Sequence, residues 1–166
     1  MSGNTRTSFL VNAYEDPVFL RIVGKASYLN CTPVSEFFDE MIARGRTDFV
    51  VDFADCTGMD STFLGILAAA AMDVKDKGSL VLMRLNQRNQ ELIENVGLHR
   101  ILTVDTHGPD EEVEKRESYL DEIADDTKQA ADSRLILKAH ESLIEIDEGN
   151  AQKFQDVVSF LRGQNE

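Results

Sequence analysis

Asp60-Ser61-Thr62 carries the densest chemistry in the chain: a carboxylate and two adjacent hydroxyls directly ahead of the apolar run Phe63-Leu64-Gly65-Ile66-Leu67 and four alanines. A serine at the opening of a helix has three uses. Its oxygen, or that of Asp60, can cap the N–H groups that the first turn leaves unpaired. It can accept a phosphoryl group, because it projects where another protein reaches it and those N–H groups favour an added anion. With a base beside it, it can attack an ester. The third use has least support: no G-x-S-x-G elbow frames Ser61, and His99, His107 and His140 are scattered, with no ligand spacing and no nearby nucleophile, and read as surface or capping groups. No catalytic residue is expected.

The remaining candidates are bland. Cys31 and Cys56 form no C-x-x-C pair and no cluster with histidine, so they read as small buried hydrophobes, with neither a disulfide framework nor a zinc site. Gly58, Gly65 and Gly78 have no phosphate-cradling spacing, and paired acids such as Asp125-Asp126 are expected wherever a segment is this acidic. Neither a cofactor nor a metal is implied.

The elements around Asp60 and Ser61 follow from periodicity and punctuation. Ser8 to Gly24 reads as two strands around the break Glu15-Asp16-Pro17. Asn30 or Thr32 can cap a helix with Pro33 in its first turn, and Val34, Phe37, Phe38, Met41 and Ile42 give it one apolar face up to Gly45. Thr47 to Phe53 reads as a central strand covered on both faces, and Asp55 to Gly58 as a loop that delivers Asp60 and Ser61 to the next helix. The four alanines let that helix pack closely on a sheet. Ser79 to Leu85 is a further strand, Gln87 to Asn95 a short helix ending at Gly97, and Ile101 to Asp105 a last short strand. The order ββαβαβαβ predicts an α/β domain with one mixed sheet.

The chain has 166 residues, 42% of them hydrophobic and 28% charged, enough apolar material for one core. Its net charge of -13 opposes nucleic acid and anionic membrane surfaces as partners. That charge is uneven, with 10 basic and 14 acidic residues over 1–107 and 7 and 16 over 108–166. Three segments are therefore expected: an α/β domain over 1–107, an acidic linker or solvated helix over 108–130, and a C-terminal helical hairpin over 131–166. In the hairpin, Leu135, Ile136, Ala139, Leu143 and Ile146 mark one face, Phe154, Val157, Val158 and Leu161 another, with Gly149 and Asn150 between. Those stripes must bury against the domain, a second copy or a partner. With no signal peptide or membrane-length apolar run to be read, a cytoplasmic protein is expected.

VVDFADCTGMDSTFLGILAAAA resembles the signature of STAS domains, the anti-sigma factor antagonist family: a strand ending in Asp, a short connection, then Asp-Ser-(Ser/Thr)-Gly-Leu-Gly opening a helix. The Gly24 strand end, Gly78 to Leu85 and NVGLHRIL agree with it in order, over about residues 8 to 106. The resemblance implies a STAS-like mixed sheet with helices, here with a C-terminal helical extension. It implies that Ser61 is phosphorylated by an anti-sigma factor that is a serine kinase, the unmodified chain binding that partner and the modified one releasing it. Asp60, Thr62 and Phe63 are then the expected partner-binding residues. Phe63 replaces the first glycine of the motif, so a large apolar group is expected beside the acceptor. Gly24-Lys25-Ala26-Ser27 stands where the family often has Gly-Glu-(Leu/Ile)-Asp.

Two functions follow. The first is an anti-sigma factor antagonist in a partner-switching system, acting through protein partners and not as an enzyme. The second is a STAS adaptor that is never phosphorylated, in a sensory scaffold or transporter complex, with the C-terminal helices as the place for a homodimer or another partner.

Overall fold

The computed structural model describes residues 6–106, 120–123 and 130–164. Strands β1 (Ser8–Asn12), β2 (Val18–Ala26), β3 (Asp48–Met59), β4 (Ser79–Met83), β5 (Thr103–Asp105) and β6 (Asp121–Glu122) form one sheet in the order β5-β4-β3-β2-β1-β6. The helices are α1 (Thr32–Ala43), α2 (Ser61–Val74), α3 (Gln87–Asn95), α4 (Ser133–Ile146) and α5 (Gly149–Gln164). Strands β2 to β5 run parallel, and β1 pairs antiparallel with β2 on one side and β6 on the other. The expected ββαβαβαβ order and the α/β class are thus observed.

Period-2 alternation along the strands builds the core. Val18, Leu20 and Ile22 of β2, Phe49, Val51 and Phe53 of β3, and Leu80 and Leu82 of β4 are all buried. They meet Val34, Phe38 and Met41 of α1, the Phe38 and Phe49 rings lying edge to face with centroids 5.3 Å apart.

Beyond its core face, the sheet buries a charge. The Asp52 side chain is fully buried in β3 and takes hydrogen bonds from Arg21 Nε and Arg84 Nε, both at 2.8 Å, from Arg84 Nη2, and from the Ala54 N–H. Arg84 holds φ at +57°, which is costly for a residue with a Cβ, and the two guanidinium contacts to Asp52 offset it.

Strand β3 runs much further than the sequence predicts. Asp55 to Gly58 is strand and not a loop: Gly24 lies opposite Cys56 and Ala26 opposite Met59, with register shifts between Arg21 and Val23 and between Gly24 and Lys25. Those irregularities carry the pairing through a stretch whose composition reads as a turn. The start of α1 differs as well. Neither Asn30 nor Thr32 caps it: Cys31 is the N-cap, without a side-chain bond, because Pro33 removes one of the N–H groups a cap would serve. Asn30 instead closes the preceding turn, accepting from the Ser27 N–H and donating to the Lys25 carbonyl.

Residues 107–119 and 124–129, on which most of the expected linker or solvated helix falls, and with them His107, lie outside the described residues. Within the described part of that stretch, Asp121 and Glu122 are strand, pairing with Val11 and Leu10. The Tyr14 hydroxyl donates to Asp121 at 2.9 Å, and that carboxylate raises the phenol's pKa.

Both cysteines are buried, as expected. Burial pushes the Cys31 thiol up to about 12 and raises that of Cys56. The native protein should therefore leave both thiols unmodified by a water-soluble aromatic disulfide at about pH 8, where a free cysteine is partly thiolate. Both should react together in denaturant, and prompt labelling of the native chain would show that one of them is open to solvent.

Candidate functional site

The chain reaches Ser61 straight from a strand. Because β2 and β3 stay paired to Ala26 and Met59, the Asp60 N–H donates to the Ala26 carbonyl and Asp60 becomes the N-cap of α2. Its Oδ1 accepts from the Phe63 N–H at 2.9 Å and its Oδ2 from the Tyr28 N–H at 2.8 Å. One carboxylate thus caps the helix and ties it to the loop between β2 and α1, where Tyr28 is 46% and Leu29 56% exposed. Ser61 is the first residue of the helix. The bland reading of this sequence, a cap, holds on Asp60, and the hydroxyl of Ser61 follows it on the first turn, half-buried.

Thr62 and Phe63 do not lie where the expected partner-binding role would need them. Thr62 is 4% exposed and Phe63 fully buried, its ring stacked on Phe9 of β1 at 6.2 Å between centroids. The extra ring is taken up by the core, because the third residue of α2 faces the sheet while the first faces away from it. It neither obstructs the hydroxyl nor offers a surface to a partner.

Sequence reasoning missed His140. Its Nε2 lies 2.8 Å from Ser61 Oγ, so the expectation that no histidine lies near a nucleophile is overturned. The imidazole is 3% exposed, rests edge to face against Phe154 at 5.1 Å, and has Nδ1 2.7 Å from the Ile136 carbonyl one turn back. A carbonyl only accepts, so Nδ1 carries a proton. With the ring neutral, Nε2 presents its lone pair and the Ser61 hydroxyl donates to it. This is the geometry of a serine and its base, but it is closed over by the helix that brings the histidine. The positions 79 residues apart met no local pattern; the one signal was a histidine set beside Ala139 in an apolar stripe.

That stripe is spent inside the chain. Ten of the fourteen residues of α2 are buried, since the sheet and α1 take part of its surface and α4 takes another part. At Gly65 the two helix backbones nearly touch: a Cβ there would lie 2.2 Å from the Ala139 carbonyl oxygen. Ala139 and Leu143 are buried, with Leu135, Ile136 and Ile146 packed against the same core. Helix α5 anchors the far end of the pair. Asn150 Nδ2 donates to the carbonyls of Val96 (2.8 Å) and Leu143 (2.7 Å), Lys153 reaches the Asn95 carbonyl, and Arg100 pairs with Asp147 at 3.4 Å. Of the second stripe, Val158 and Leu161 are buried while Val157 stays 38% exposed, as does its neighbour Phe160 at 65%.

A fold of this order, with its helix opening at the end of a central strand, has relatives. The family model described as Mlab, STAS domain, matches residues 9–103, more than half of the sequence. The chain therefore belongs to the STAS domain family. Among solved structures it is similar to the anti-sigma factor antagonist SpoIIAA in its unphosphorylated form, with 14% identity and a TM-score of 0.54 over 67% of this chain and 99% of that one. It is similar also to the Bacillus cell fate determinant SpoIIAA in the phosphorylated form, with 18% identity and a TM-score of 0.52 over 66% and 98%. A third is a putative anti-sigma factor antagonist from Thermotoga maritima, with 19% identity and a TM-score of 0.52 over 66% and 94%. A search of curated proteins finds no match to the sequence. Among the described residues, no helix is long and apolar enough to cross a membrane.

Proposed function

We propose that this protein is an anti-sigma factor antagonist of a partner-switching system, binding an anti-sigma factor of the serine-kinase type and switched by phosphorylation of Ser61. The observation that carries this reading is the placement of Ser61 on the first turn of α2, immediately after its Asp60 cap, at the end of a STAS sheet. Two of the similar structures are of one antagonist in its unphosphorylated and phosphorylated forms, which supports the same pair of states here.

The physics of the switch is local. The unmodified end of the sheet sets the exposed Tyr28 and Leu29 beside the half-buried Asp60 carboxylate and a neutral hydroxyl, as the surface for a protein partner. A phosphate adds about -1.5 to -2 charges. The N–H groups of the first turn tolerate that charge, so the sheet and α2 survive, while a partner fitted to a neutral serine beside one carboxylate is repelled. The protein acts by binding, in the cytoplasm, and reaches transcription through protein partners and not by contact with nucleic acid.

The bond from Ser61 to His140 favours one other reading, an adaptor in which the serine is a structural tie and is never modified. Peptide mapping of the chain isolated from its own cells separates the two. One phosphate on the peptide that contains Ser61, absent from Ser61→Ala, is the expected result. Phosphate that persists in Ser61→Ala, or none under any growth condition, would overturn phosphorylation at this residue and leave the adaptor.

A further inference from the structure

The acceptor hydroxyl is not free. It donates to a buried imidazole carried by a helix from the other end of the chain, and that helix lies so close to α2 that Gly65 has no room for a Cβ. A phosphoryl group replaces the hydroxyl hydrogen, so the ester Oγ can no longer donate to His140 Nε2, and a bulky anion is set beside a buried ring. The segment before α4 adds one more tie, the Ala131 N–H donating to the Tyr28 carbonyl beside Asp60. Both α4 and α5 lie after the part of the chain that the family model matches. That match ends at residue 103.

We propose that α4 and α5 are a built-in cover over Ser61, docked as a pair through His140 and the Gly65–Ala139 contact, and that the covered state and the phosphorylated state exclude each other. This rests on the reading of Ser61 as the modified residue only for its biological meaning; the cover itself is a property of the fold. Linkage makes the exclusion reciprocal. A docked cover disfavours the phosphorylated state, and a phosphate on Ser61 disfavours docking by the same factor.

Hydrogen exchange of the full chain, read by mass spectrometry, tests this without a kinase. Three chains are compared: wild type, Gly65→Ala and Ser61→Glu. Alanine is a better helix former than glycine, so Gly65→Ala favours α2 itself while its methyl collides with the Ala139 carbonyl. Ser61→Glu places a charge against the buried imidazole. In wild type the amides of 133–164 are expected to exchange at least about 10-fold faster than those of β2 and β3, as a separately opening unit. Both substitutions should speed 133–164 by about a further 10-fold and leave β2, β3 and β4 unchanged. Exchange of α4 in step with the sheet in wild type, no change at 133–164 in either variant, or a sheet that opens together with α4 in both variants would each overturn the proposal, because the two helices would then belong to one indivisible core. Failure of phosphate to map to Ser61 would leave this result standing, and failure here would leave the mapping standing.

Discussion

Phe63→Gly, which restores the glycine of the family motif, is expected to lower the stability of this chain by about 4 to 6 kcal/mol. The side chain is fully buried and stacked on Phe9, and emptying a site of that size costs about 3 to 5 kcal/mol, with about 1 more for glycine inside a helix. Urea unfolding followed by far-ultraviolet circular dichroism measures it, as a fall in midpoint with little change in slope. A loss below about 1 kcal/mol would mean that the ring does little for the core. Motif-level reasoning predicts the opposite outcome, a stable protein with altered partner binding, because it treats the third residue of the helix as part of the presented surface. The facing of α2 reverses that: Ser61 and Phe63 are about 200° apart around the helix axis, so one turns away from the sheet, toward α4, when the other points into it.

Asp52→Asn has the second large effect. Burial alone pushes the Asp52 carboxyl up, but hydrogen bonds from Arg84, the Ala54 N–H and Arg21 outweigh burial and hold it below the usual carboxylate range. An amide there turns an N–H₂ group toward donors and leaves two guanidinium groups beside a neutral partner. The cost is about 3 kcal/mol, the low end of what breaking a buried pair causes, since the Arg21 and Arg84 side chains are 16% and 26% exposed. For a chain of this size that is a fall in Tm of about 6 to 12 °C, readable by calorimetry. The pH dependence has a definite sign. A lowered carboxyl pKa gives stability that is present above the unfolded-state value near 3.9 and is lost as pH falls through the lower folded value. Asp52→Asn should therefore flatten the acid side of the stability curve, and an unchanged acid limb would show that Asp52 is not the group titrating there.

Much of the domain was legible because its signals are local. Alternation in Val18 to Val23 and the apolar face from Val34 to Ile42 are periods of 2 and 3.6 that burial imposes on neighbouring residues. Gly45 and Gly97 stop helices with φ of +86° and +80°, which glycine alone adopts without strain. Asp55 to Gly58 misled because its composition is that of a turn, whereas pairing with Gly24 to Ala26 supplies bonds that composition cannot reveal. The cap of α1 misled for a related reason: Asn30 has the right chemistry for a cap, but the turn at Ser27 offers it two bonds at once.

By itself, the sequence determined the α/β order, the STAS resemblance, the burial of both cysteines, and a carboxylate and hydroxyl at the opening of α2. Each depends on residues close together in the chain, where spacing fixes geometry. Only the tertiary structure decided which of those groups is exposed and what touches it. Phe63 points inward, and the acidic third of the chain ends in two helices, the first of which packs on α2 and puts His140 on Ser61. A stripe such as Leu135 to Ile146 says that a helix must bury one face and is silent about against what, because hydrophobic burial has no direction of its own. The close approach at Gly65 and the hydrogen bond at Ser61 supply that direction.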